Sequence, residues 1–166
     1  IVGANTWASL CLATPPAGNT LYFGTGGSSS SSSTIYRQGD TGTAIHQIKR
    51  RMAVENMFAG TVDATFDAEL TYAVKVFQAS EDIRVDGLVG PATWSLLFPI
   101  VRKQTGQQEG AKAVQALLNL NGYSVGTPDG LFGTGSENKL KQFQTANGLT
   151  SDGICGAATW AKLCEV

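Results

Sequence analysis

The sequence predicts an all-α chain in which two tandem three-helix modules follow a Ser/Gly-rich N-terminal linker. Three observations carry this. The phrase Gly-x-x-Thr-Trp-x-x-Leu occurs three times, at 3–10, 90–97 and 156–163. Apolar residues upstream of the second and third copies are spaced by three and four, as on one face of a helix. No segment shows the sustained alternation of a half-buried strand.

Taken in order, residues 1–11 match the end of the repeat and are expected to be the C-terminal helix remnant of a truncated copy. Residues 12–38 contain Pro15-Pro16, a Gly-rich stretch and serines at every position from 28 to 33, the composition of a flexible linker. Residues 39–98 and 99–166 are then two copies of one unit, each about the smallest size that folds unaided. In the first, Ile45, Ile48 and Met52 predict one helix, Phe66, Leu70, Ala73, Val74 and Phe77 a second, and Trp94 with Leu97 a short third. In the second the corresponding positions are Val114, Leu117 and Leu120, then Phe132, Leu140 and Phe143, then Ile154, Trp160 and Leu163.

The full phrase is Asp-Gly-apolar-x-Gly-x-x-Thr-Trp, with a related Asp129-Gly130-Leu131-Phe132-Gly133 in the middle of the second copy. Asp-Gly suits a tight turn, the apolar pair is expected to drop into the core, and Gly90 before Pro91 suits a helix start. Asp86, Asp129 and Asp152 are placed to accept backbone N–H groups in those turns. Gln78 and Gln144, each after a core Phe, can tie down a neighbouring loop. The three Trp share one helical slot and are expected to pack inward.

Composition narrows the function. Twelve basic and thirteen acidic residues leave a net charge of −1, which gives no general field for nucleic acid or an anionic membrane. No apolar run reaches the roughly 20 residues of a membrane-spanning helix. The single histidine, His46, is expected to face solvent and cannot build a zinc site, which needs about three converging ligands. No Asp series has calcium-loop spacing. Neither a metal, a cofactor nor a catalytic residue is expected. Cys155 replaces Val89 in an apolar slot and should be a buried thiol, while Cys11 and Cys164 share another slot in which a disulfide between them is one option.

Gly122-Tyr123, the Asp-Gly-Leu-Phe-Gly run, Phe143-Gln144, Gly148-Leu149 and Asp152-Gly-Ile-Cys-Gly-Ala-Ala-Thr-Trp together resemble the peptidoglycan-binding domain found as a non-catalytic module in bacterial and phage cell-wall hydrolases. The likeness covers Gly42 to Leu97 and Gly110 to Leu163. It implies three-helix modules, secretion to the cell wall, and attachment to peptidoglycan through its glycan or stem peptide. On that reading the chain anchors an effector or hydrolase, such as a catalytic domain of the same polypeptide. The alternative is a protein-protein or intramolecular docking module like helical pro-segments, and a hydrolase in its own right is the third.

Sugar recognition calls for an aromatic face beside amide, hydroxyl and carboxylate groups. Tyr123, Asn121 and Ser124, with Asp129 and Leu131 on the adjoining loop, offer that mixture and form the candidate site. The first copy reads Asp63-Ala-Thr-Phe-Asp67 at the middle motif, and the stretch before it is expected to be two residues longer than its partner. Residues 39–98 carry five basic and eight acidic residues, and 99–166 carry six and five, giving −3 and +1. The second copy is therefore expected to be the stronger binder to an anionic wall.

Overall fold

The computed structural model describes residues 34–104 and 108–166. Among the described residues six helices run in order: α1 (Thr43–Val54), α2 (Ala68–Ser80), α3 (Pro91–Leu97), α4 (Ala111–Leu120), α5 (Thr134–Ala146) and α6 (Ala157–Leu163). Helices α1–α3 make module 1 and α4–α6 module 2. Between helices, the described chain pairs only at isolated antiparallel bridges, Tyr36 with Val89, Thr41 with Thr65 and Val101 with Cys155. Tyr36, in the tail of the stretch assigned to the linker, is thus hydrogen-bonded to module 1. Residues 1–33, including the truncated repeat, Trp7, Cys11 and the serine run, lie outside the described residues.

Each module has its own core. Ile45, Ile48, Met52, Leu70, Val74 and Phe77 meet Phe66, Val89 and Leu97 in module 1, all at most 5% exposed. Val114, Leu117, Leu118, Leu140 and Phe143 meet Phe132, Cys155, Trp160 and Leu163 in module 2. Equivalent residues stand 66 positions apart, as Gln78 and Gln144 or Trp94 and Trp160 do. The spacing from α1 to the middle turn is the same in both: Lys49 and Asp63 are 14 apart, as are Gln115 and Asp129. The two-residue insertion expected in module 1 is therefore absent.

Several expected core positions differ in the structure. Phe66 and Phe132 are buried but precede their helices, just before the extended N-caps Asp67 and Gly133. Of each apolar pair in the Asp-Gly phrase only the second residue enters the core, so Val89 and Cys155 are fully buried while Ile154 is 36% and Leu131 49% exposed. Leu118, not Leu120, completes the buried face of α4. Leu120 is exposed, whereas its counterpart Val54 packs on the neighbouring module's core. His46 is half-buried rather than solvent-facing.

The turns are held by buried glutamines. Gln144 Oε1 accepts from Gly153 N at 2.9 Å, and its Nε2 donates to Asp152 Oδ1 (2.9 Å), Ile154 O (3.0 Å) and Thr159 Oγ1 (3.2 Å). Gln78 repeats this pattern with Asp86, Gly87, Leu88 and Thr93. The aspartates accept as expected, Asp152 from Ile154 N and Asp86 from Leu88 N. One amide thereby joins the end of a long helix, the Asp-Gly turn and the start of the short helix, and the buried polar group is fully used.

The modules abut. Arg51, 3% exposed, donates Nε–H to Leu97 O at 2.7 Å, pairs with Glu55 at 2.6 Å, and lays its guanidinium 5.4 Å from the Trp160 ring centroid. Trp160 Nε1 donates to Pro99 O at 2.7 Å, and Phe98 packs edge-on to it. Gly110 has φ +73°, and a Cβ there would lie 2.8 Å from Pro99 Cγ, so glycine permits this approach. Trp160 is buried as expected; Trp94, between Tyr36 and Phe98, is only half-buried. Cys155 and Cys164 are free buried thiols, and burial pushes Cys164 up to about 12 and Cys155 up as well.

Replacing Gln144 by Ala leaves the Gly153 N–H without its acceptor and Thr159 with only its long bond to Ile154 O at 3.5 Å. It should lower stability by about 2–4 kcal/mol, read as the urea midpoint. The exposed Gln142→Ala should change it by less than about 0.5 kcal/mol, and equal effects would show that the amide does not brace the turn.

Candidate functional site

The candidate surface is the loop that follows α4. Asn121 caps the helix, Gly122 turns the chain at φ +83°, and Tyr123 N returns to Leu118 O at 2.8 Å. Asn119 then splints the loop: its Nδ2 donates to Gly126 O and its Oδ1 accepts from Val125 N, both at 2.8 Å. The result is a surface concavity of about 520 Å³ lined by Asn119, Gly122, Ser124, Gly126, Thr127 and Pro128. Ser124 and Thr127 expose hydroxyls on it, and no atom lies within 4 Å of where a Cβ would stand on Gly122 or Gly126. A ligand can therefore approach the backbone closely and meet hydroxyl and peptide groups.

The five residues singled out from the sequence fall on and around this loop, but they do different things. Ser124 lines the concavity. Tyr123 is half-buried, its ring edge-on to Phe143 at 5.5 Å between centroids. Asn121 Nδ2 donates to Leu117 O and Leu163 O, fastening α4 to the end of α6. Asp129 accepts from Gln115 Nε2 and Leu131 N at 2.9 and 2.8 Å, and these bonds hold its carboxyl below the usual range. Leu131 projects outward from the adjoining turn. Asn119, Thr127 and Pro128 were missed; the signal was the Asn-x-x-Gly-x-x-x-Gly-Thr-Pro run, in which an amide lies within reach of a turn that glycine opens.

Beneath the loop Gln115 makes a third copy of the glutamine brace. Its Oε1 accepts from Asp129 N and Gly130 N, and its Nε2 donates to Asp129, Leu131 O and Ser136 Oγ. Module 1 solves the same problem differently. Lys49, fully buried, occupies the Gln115 position and donates to Thr61 O, Asp63 and Asp67. Asp67 also caps α2 by accepting from Leu70 N at 2.7 Å. The altered middle motif is thus an ion-paired replacement for the amide brace: a lysine cannot accept from the turn's N–H groups, so Asp63 N donates to Thr61 O at 3.1 Å, while the bond from Thr65 N to Asp63 is kept as in module 2.

The loop above it is altered as well. Ser124 and Asn119 correspond to Phe58 and Ala53, and Phe58 is buried at 6% exposure with Lys49 Nζ 5.2 Å from its ring centroid. A Cβ on Gly60, the counterpart of Gly126, would fall 2.7 Å from Phe58 Cζ. The ring closes over the loop that stands open in module 2.

The family described as "Putative peptidoglycan binding domain" matches residues 41–97 and again 107–163. The chain belongs to this family, with two of its domains in tandem. It is 28% identical over 168 residues to the N-acetylmuramoyl-L-alanine amidase CwlL of Bacillus licheniformis, covering 82% of this chain and 47% of that protein. It is 37% identical over 109 residues to the amidase CwlM of Mycobacterium tuberculosis, covering 59% of this chain and 27% of that protein. The chain spans about half or less of the length of these curated relatives. Among solved structures the SleB N-terminal domain is 27% identical with a TM-score of 0.38, covering 40% of this chain and 90% of that one.

The Lys49 brace has a pH signature. Hydrogen bonds from Lys49 hold Asp63 below the usual carboxylate range, and Lys49 with the Leu70 N–H outweighs burial to do the same for Asp67; their partners hold Lys49 above its ordinary value. Depressed carboxylates stabilise fully above the unfolded value near pH 4 and lose that contribution as pH falls through the folded one. The raised lysine stabilises fully below about pH 10 and loses its contribution as pH rises through its folded value. The stability difference between wild type and Lys49→Gln should therefore be flat from about pH 5 to 10 and shrink towards pH 2. Urea midpoints across that range check it; a difference constant to pH 2 would remove the ion pairs from the account.

Proposed function

We propose that the chain is a non-catalytic anchor that holds an attached effector or hydrolase, such as a catalytic domain of the same polypeptide, on peptidoglycan outside the cell. The single observation that carries this is the duplicated family domain with an open, glycine-lined concavity on module 2. Amidase relatives are proteins in which such modules accompany catalysis, and the match to them runs through the binding modules. The binding surface is the α4–α5 loop, with Ser124 in the concavity, Leu131 beside it, and Tyr123, Asn121 and Asp129 holding its shape. Module 2 is the stronger binder, because Phe58 closes the equivalent loop of module 1 and because its charge is +1 against −3.

Docking to a protein partner is the competing reading, favoured only by the exposed apolar residues Tyr72 and Val76 on α2, whose counterparts in module 2 are Asn138 and Gln142.

The full chain should sediment with purified sacculi at moderate salt. Ser124→Phe, which copies the module 1 residue, should weaken retention at least tenfold, about 1.4 kcal/mol, while Gln142→Ala leaves it unchanged. A wild-type chain that stays in the supernatant, or that clears wall suspensions, would overturn the reading; saturable capture by a catalytic partner without retention on sacculi would favour docking.

A further inference from the structure

The wall of the module 2 concavity has a second side. Pro128 also lines a concavity of about 500 Å³ at the junction of the modules, whose other walls are Val54, Glu55, Asn56 and Met57 from module 1 and Lys112 and Ala116 from α4. We infer that this junction is a binding site for a peptide bearing both a free ammonium and a free carboxylate, so that the wall polymer is gripped across the two modules and not by module 2 alone. The inference rests on the peptidoglycan reading above and specifies which part of the polymer meets which part of the chain.

The chemistry of the lining is two-signed. Glu55 is held by Arg51 at 2.6 Å, itself fixed by the bond to Leu97 O, so the carboxylate is positioned by the junction and is still one-quarter exposed. Lys112 is exposed across the cleft, its positive charge felt by Asp129. Asn56 is exposed at φ +59°, a left-handed turn position that Asn tolerates. Among the described residues neither the Asn56 side chain nor the Lys112 ammonium takes part in a hydrogen bond or ion pair. Val54, Met57, Ala116 and Pro128 supply the apolar walls between these groups. A carboxylate at Lys112, an ammonium at the Glu55 oxygen that is not paired with Arg51 and a short aliphatic backbone between them match that arrangement, whereas a neutral sugar would leave the Lys112 charge unanswered.

The site also requires the modules to keep their relation. The Arg51 guanidinium and the Phe98 ring against Trp160, with Val54 packed on the module 2 core, fix it without the ligand. Preorganisation of this kind spares a ligand the cost of ordering two domains.

The test uses the full chain and three probes: sacculi, the free stem tripeptide L-Ala-D-Glu-diaminopimelate, and the same tripeptide with every amine acetylated and every carboxylate amidated. The free tripeptide should bind and shift the methyl resonances of Met57 and Ala116. Asn56→Gly, which preserves the left-handed turn, and Lys112→Ala should each weaken it at least fivefold with unchanged thermal midpoints. The blocked tripeptide should bind at least fivefold more weakly than the free one. Unchanged affinity in both variants, or methyl shifts confined to the Ser124 loop, would overturn the junction site while leaving wall binding intact. A wild-type chain that ignores sacculi would overturn the function reading separately.

Discussion

A buried primary amide bracing an Asp-Gly turn is the constraint on which the rest of the structure depends. The modules are small, and each core is closed by a short third helix. What keeps α3 and α6 in place is the connection of the preceding turn to the long helix, made by Gln78 and Gln144. An amide suits this position because it accepts and donates at once: the turn offers N–H groups on one side and carbonyl, carboxylate and hydroxyl oxygens on the other. Neither Glu nor Lys alone can satisfy both sides in a dry site, and a hydrophobic residue would leave the turn's groups unpaired.

Lys49 shows the consequence of losing the amide. The ammonium needs acceptors only, and Asp67 appears where module 2 has Gly133, with Asp63 turned to the same nitrogen. The glycine of the Asp-Gly turn is no longer required, and Ala64 stands there. A buried cation also needs shielding, and Phe58 folds over Lys49. The change in the brace and the closure of the loop are thus one physical event: the same ring that covers the lysine removes the open surface that module 2 retains.

Much of this was legible in the residues. The repeat fixed the module count, the three-and-four spacing fixed the helices, and the paired Gln and Asp-Gly positions announced a brace. Less visible was the inward or outward fate of neighbouring apolar residues: Leu131 and Phe132 are alike in polarity, and only the turn's backbone decides that Phe132 goes in. The candidate site was half legible for a related reason. Asn121 and Asp129 look like ligand-binding groups by type, yet each has backbone partners close in space that a linear string does not display. Ser124, chosen by type like the others, lines the concavity.

The junction was illegible altogether, because it depends on contacts between copies and not within them. Arg51 corresponds to Leu117, so the repeat alone makes it an anomaly, a cation in a core position. Its role emerges only when module 2 is present: it satisfies Leu97 O, the carbonyl that Asn121 satisfies at Leu163 in the other module, and presents its guanidinium face to Trp160. A buried arginine is tolerable where a carboxylate, a carbonyl and an aromatic face converge on it, and costly where any is removed. Each module 1 residue that departs most from the repeat therefore answers to a neighbour, Lys49 to its own loop and Arg51 to module 2. The departures from the shared pattern are what turn two copies of a domain into one surface.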